Sequence, residues 1–180
     1  MPEPRGIADP RFAADTGKAD SALAEALAAY ADVPADPARN VDVFLALQTA
    51  RLLVPVVAVL GEVEVDPAGL AHYNTTDKTT DMATALLTGR DGRVALLAFT
   101  SAEALCAWRE DARPVPVPAA LAARAALQER AAALVVDVSG PTTYVVEGDL
   151  LEGLARGWTL ATTAQGLAWV TAAPQTRVAE

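Results

Sequence analysis

A single cysteine, a single histidine and two lysines set the first limits on what this 180-residue chain can do. With Cys106 alone, neither an intrachain disulfide nor a cysteine-built zinc site can form. With His72 alone, any Ser–His–Asp or Cys–His arrangement must use that one imidazole, and no G-x-S-x-G elbow accompanies it. A metal site would draw on His72 with Glu62, Asp77 or Asp81, a set without a recognised ligand spacing. Neither G-x-x-x-x-G-K-[ST] nor G-x-G-x-x-G occurs, so no phosphate loop supports nucleotide binding and no cofactor is expected. The longest apolar run, Leu52 to Leu60, has nine residues and contains Pro55, too short to span a bilayer as a helix. The opening MPEPRGIADP lacks a basic segment followed by an apolar one, so no signal peptide is expected and the protein reads as cytoplasmic. His72 is read as a solvated loop histidine. Cys106, with no nearby Lys or His to favour its thiolate, is read as a buried structural residue.

Positive charge is also short. Lys and Arg total 14 against 23 Asp and Glu, a net charge of −9. Such a chain repels polyanions, and no basic cluster offers a footprint for nucleic acid. The nearest, Arg90 and Arg93, flanks Asp91, which neutralises it in part. Aromatic residues make up 5% of the chain, whereas the hydrophobic fraction is 52% and owes much to alanine. Small side chains fill little volume, so helices are expected to pack close to a sheet. The excess of Arg over Lys, with the Ala and Val bias, suggests a GC-rich bacterial coding sequence.

What is present reads as one α/β domain with a mixed parallel and antiparallel sheet of about five to six strands and flanking helices. Residues 1–19, rich in Pro, Gly and charge, are expected to form a loosely held arm before a single domain over 20–180. Ser21 is placed to cap a first helix with Leu23, Leu27 and Tyr30 on one stripe. A second helix is expected from Asn40, with Asp42 in its first turn and Arg51 in its last. Leu52–Leu60 reads as a buried strand, interrupted at Pro55 by an edge or a bulge, and 61–77 as strand-like at first, then a polar loop.

Thr79–Leu87 and Arg93–Phe99 read as strands around Gly89-Arg90-Asp91-Gly92, a hairpin signal. Ser101 caps a helix whose Leu105 and Trp108 face the core. ARPVPVP is extended but too proline-rich for a central antiparallel strand. Pro118 opens a helix to about Arg130, and Leu134–Val138 and Thr142–Val146 form a hairpin. Asp149–Arg156 is a last helix, with Asp149 and Glu152 as a capping-box variant. Residues 158–180, with Trp158 and Trp169, either add an edge strand or pack across the domain.

The charges at strand ends are the candidate chemistry. Arg51 precedes the first strand, Lys78 and Asp81 straddle the start of the second, and Arg109, Asp111 and Arg113 follow the Trp108 helix. If they converge, they offer an anion or carboxylate pocket; otherwise they tie strand ends together as ion pairs.

The stretch ARLLVPVVAVLGE, the pair Asp81-Met82, the run DGRVALLAFTSAEALCAW and the following ARPVPVP resemble the SseB N-terminal-domain family over roughly Arg39 to Gly157. The resemblance implies an actinobacterial type of protein described by an enhanced-serine-sensitivity phenotype, with no catalytic residues to carry across. The expected function is a non-catalytic cytoplasmic module acting through a protein partner, without nucleic acid or membrane, and a homodimer is an option. The alternative is a sensor of a small anionic metabolite at Arg51, Lys78, Asp81, Arg109 and Arg113.

Overall fold

Two aspartates start the first two helices. In the computed structural model, which describes residues 12, 14–59 and 81–171, Asp20 caps α1 (Ser21–Asp32) by accepting from the Leu23 amide at 3.1 Å. The cap is therefore one residue earlier than Ser21. Asp36 caps α2 (Pro37–Leu47) through the Ala38 amide at 2.9 Å. Pro37 stands in the first turn, where its missing N–H costs nothing, so α2 begins before Asn40 and ends before Arg51, which opens a strand. Leu23 and Leu27 of α1, and Val43, Phe44 and Leu47 of α2, are buried.

The strands follow as β1 (Arg51–Val59), β2 (Asp81–Thr84), β3 (Leu86–Thr88) and β4 (Val94–Ala98), then α3 (Ala102–Trp108), β5 (Arg113–Pro118), α4 (Ala119–Gln128), β6 (Ala133–Val136), β7 (Tyr144–Glu147) and α5 (Gly148–Ala155). One sheet runs β2-β1-β5 and another β3-β4-β6-β7. They join where Leu53 and Phe99 exchange both backbone hydrogen bonds at 2.8 Å. Beyond that bridge the layer forks. The strand expected over Thr79–Leu87 is bent at Ala85, whose N–H donates to the Pro55 carbonyl while its carbonyl accepts from Leu97. β2 thus pairs with β1, and β3 with β4. With β2 and β3 taken as one bent strand, the layer has the expected size and mixed character.

Proline placement follows the two-residue period of a strand. Val115 and Val117 face β1 with donors, whereas Pro114, Pro116 and Pro118 share the opposite direction, the outer edge of β5. That edge offers few donors to another chain, which suppresses edge-to-edge pairing. Pro55 points its missing donor toward β4, where the two strands have already parted.

Both faces of the layer are covered. Leu52, Val54, Leu96, Ala98, Leu134 and Val136 pack beneath α1, α2, α4 and α5. Leu53, Leu97, Phe99 and Val135 turn the other way, toward Leu105 of α3. Trp108 stacks on Phe99 with ring centroids 5.5 Å apart. The alanines of α4 at 119, 122, 123 and 126 are all buried, the close helix approach that small side chains permit. The turn between β3 and β4 closes through Gly89 and Gly92, the latter at φ 79°, as Asp-Gly hairpins require. Arg93 pairs there with Asp91 at 2.6 Å and Glu147 at 2.8 Å, and the Arg93 hydrogen bonds hold the Asp91 carboxyl below its ordinary range.

Among the described residues Tyr144 is the largest fully buried side chain, and its hydroxyl donates to Asn40 at 3.1 Å. Burial, reinforced by Tyr30, pushes its pKa from 10.0 up to about 12. The folded phenol therefore holds its proton where the unfolded one has lost it. Its stabilisation is intact below pH 10 and disappears as pH rises through 12, a loss on the order of 2 kcal/mol. Urea unfolding of wild type and Tyr144→Phe between pH 9 and 12 checks this: the wild type should lose stability faster, and parallel curves would refute it.

Over its described residues the C-terminal segment adds no edge strand to the main layer and packs against the domain instead. β8 (Thr159–Thr163) and β9 (Gly166–Val170) form their own antiparallel hairpin. It docks through Gln48, whose side chain bonds both the N–H and the carbonyl of Leu160 at 2.9 Å. Trp169 sits edge-on to Phe44 and close to Trp158, and its ring occupies the space above Gly153, where a Cβ would lie 2.5 Å from it. Gly153→Ala should therefore destabilise by about 1 kcal/mol, overpacking of about 1–3 kcal/mol being partly offset by better helix propensity. Thermal unfolding measures it. Combining it with Trp169→Leu should remove most of the penalty, and additive losses would refute the contact. At the start of α5, Glu147 occupies the cap position with no side-chain bond, so the Asp149–Glu152 capping box does not form.

Candidate functional site

β4 and β6 are parallel neighbours, in register from Ala95↔Ala133 to Ala98↔Val136. Ligands of α/β sheets bind where the chain leaves the carboxyl ends of such strands, between helices on opposite faces. Here β4 leads through Phe99 and Thr100 to Ser101, whose Oγ accepts from the Ala104 amide at 3.1 Å and starts α3 on one face. β6 leads directly into Asp137, whose N–H donates to the Ala98 carbonyl at 3.0 Å before a φ of 54° turns the chain outward. Its carbonyl accepts from Gly140 and from the Thr143 hydroxyl. Between these ends, α3 and α1 of the opposite face, lies a crevice of about 390 Å³.

Asp137 is buried, and both carboxylate oxygens accept from one residue: Oδ1 from the Thr100 N–H at 2.9 Å and Oδ2 from the Thr100 hydroxyl at 2.7 Å. Burial pushes its pKa up, and the Thr100 donors counter this only in part. Leu27, Ala28, Ala104 and Ala107 form the apolar walls, Ser139 and Thr142 add polar rim, and Glu103 is the other charged lining residue. Among the described residues, no Lys or Arg lines the crevice.

Of the five residues expected to form an anion pocket, those within the described residues are not gathered here. Arg51 is committed elsewhere: its Nε and Nη2 hold Asp15 at 2.5 and 2.9 Å, Nη2 also reaches the Lys18 carbonyl, and Nη1 donates to the Thr100 carbonyl at 2.9 Å. Residues 15–18, part of the arm expected to be loose, are thus strapped down, with the Gly17 carbonyl accepting from Ala102 at 2.7 Å. Arg109 pairs with exposed Asp111 at 2.7 Å. Arg113 is exposed and opposes Val56, whereas Arg51 opposes Pro118 at the other end of the same ladder. Asp81 opposes Val59, so its backbone stands about 26 Å along β1 from Arg51 at roughly 3.3 Å per residue. Lys78, His72, Glu62, Asp77 and the polar loop over 61–77 lie outside the described residues.

Cys106 corrects an expectation: it is exposed, although it directly follows buried Leu105 on α3. Among the described residues, no group of three or more His, Cys, Asp or Glu is placed to hold a metal, and no helix is long and apolar enough to cross a membrane. Asp137 and Thr100 are the site residues that sequence reasoning passed over. The signal was there: a carboxylate ending the apolar run Ala-Leu-Val-Val must find donors or sit at a strand end.

The model of the SseB protein N-terminal domain matches residues 23–153. That range runs from α1 through most of α5, takes in the crevice and stops before the β8–β9 hairpin. No curated protein and no solved structure matches the chain. With a family model covering well over half its length, this chain belongs to the SseB N-terminal-domain family.

Proposed function

We propose that the domain works by non-catalytic binding, as a cytoplasmic interaction or regulatory module that offers the crevice at the ends of β4 and β6 to a partner protein and needs no cofactor. The observation that carries this is the make-up of the crevice: alanine and leucine walls from helices on opposite faces, above a floor whose carboxylate is held by Thr100. Apolar walls with a few fixed polar groups suit an inserted side chain. The alternative of an anionic metabolite is disfavoured at this site, because Glu103 and Asp137 line it without a cation among the described residues and Arg51 is spent on Asp15.

Photo-crosslinking amino acids at Ala28 and Ala107, with exposed Leu121 of α4 as control, test the proposal in cells. A defined protein adduct enriched at 28 and 107 over 121 is the expected result. An adduct between two copies of this chain would identify the partner as a homodimer. Equal labelling at all three positions would sink the proposal.

A further inference from the structure

The crevice is acidic at both depths, and no described residue lining it carries the opposite charge. Glu103 stands exposed at the rim and Asp137 is buried at the floor. Resting on the binding role proposed above, we infer that the crevice recognises a basic side chain, a lysine or arginine carried by the partner segment. Charge complementarity is the first support, since the described lining holds two carboxylates and no cation, on a chain of net charge −9. Such a field draws in cationic segments and repels acidic ones.

Shape is the second support. A basic side chain is an aliphatic stem with a charged head, and such stems bury along apolar surface while the head seeks a polar partner. Leu27 and Ala28 on one wall, with Ala104 and Ala107 on the other, match the stem.

The third support is the floor. A carboxylate has about four acceptor positions, and Thr100 fills two of them, one on each oxygen. An ammonium or guanidinium at the floor would use the remainder and give this buried carboxylate a countercharge. Thr100 meanwhile fixes the carboxylate before binding, so little order is lost on association.

The test uses the full chain and four capped tripeptides, Ala-Lys-Ala, Ala-Arg-Ala, Ala-Leu-Ala and Ala-Glu-Ala, followed by amide chemical shifts. The basic peptides should move the Thr100, Ser101, Asp137 and Gly140 amides with saturation at millimolar concentration. Asp137→Asn, which keeps the side-chain shape, should weaken that binding by about tenfold, the worth of one charge-assisted hydrogen bond. Equal or stronger response to Ala-Glu-Ala or Ala-Leu-Ala would overturn the inference, as would basic peptides that leave these amides unmoved. Failure here with enriched cross-links at 28 and 107 removes the basic side chain and leaves the binding role. Basic peptides that bind in the absence of such cross-links support the charge preference and remove the protein partner.

Discussion

Arg51→Ala should lower the free energy of unfolding by about 3 kcal/mol, the lower end of what breaking a buried ion pair costs. Both side chains are largely shielded, Arg51 at 12% and Asp15 at 13% relative exposure. Removing the guanidinium leaves the Asp15 carboxylate without its cation and the Thr100 and Lys18 carbonyls without a donor. The exposed pair Arg109–Asp111 provides the contrast: Arg109→Ala should change stability by less than about 1 kcal/mol. Urea unfolding of Arg51→Ala, Asp15→Asn and the double variant forms a cycle in which the two losses are strongly non-additive. Hydrogen exchange adds a local reading, because the Ala102 amide bonds to Gly17 and should lose protection when the strap is released. Additive losses, or an Ala102 amide as slow as in the wild type, would show that Arg51 does not hold residues 15–18 in place.

Asp137→Ala should cost a similar amount, about 3 kcal/mol, because it strands the Thr100 N–H, removes charge-assisted bonds and puts alanine at a left-handed backbone position. Asp137→Asn keeps an acceptor for that N–H and tolerates the φ of 54°, so its loss near neutral pH is small. The two proteins should diverge in acid. Burial raises the Asp137 pKa above 3.8, so the folded state holds the proton more tightly than the unfolded state does. The associated stabilisation is fully present below the unfolded value and is lost as pH rises through the folded one. Relative to Asp137→Asn, the wild type should therefore gain stability as pH falls from neutrality to below 4. Unfolding curves over that interval decide the matter, and a wild type that instead loses ground to Asp137→Asn would mean that the Thr100 bonds outweigh desolvation.

The elements legible in the sequence are those whose causes lie within a few residues. Ser101 caps α3 because its hydroxyl meets an amide three residues on, and Gly89 to Gly92 close a hairpin whose geometry is local. Prolines spaced by two at 114, 116 and 118 mark a sheet edge because the strand period puts all three on one side. Where local readings missed, a neighbouring residue competed better. Asp36 and Pro37 began α2 ahead of Asn40. Asp20 capped α1 in place of Ser21.

The strand-end residues lay beyond such reasoning. Arg51 and Asp15 are 36 positions apart, and Thr100 and Asp137 are 37 apart. No spacing rule predicts which carboxylate meets which donor, since the pairing depends on β4 and β6 lying side by side and on the N-terminal segment folding back over α3. The same sheet geometry sent Arg51 and Arg113 to opposite ends of the β1–β5 ladder.

By itself, the sequence determined an acidic, alanine-rich α/β domain of the SseB type, with its proline edge and its hairpin, because composition, period and turn chemistry act locally. Only the tertiary structure decided that Arg51 straps down residues 15–18 and that a crevice opens over Asp137. It also placed Trp169 above Gly153 and turned Cys106 to the surface. Each of these rests on contacts between segments distant along the chain, which exist only once the sheet has brought them together.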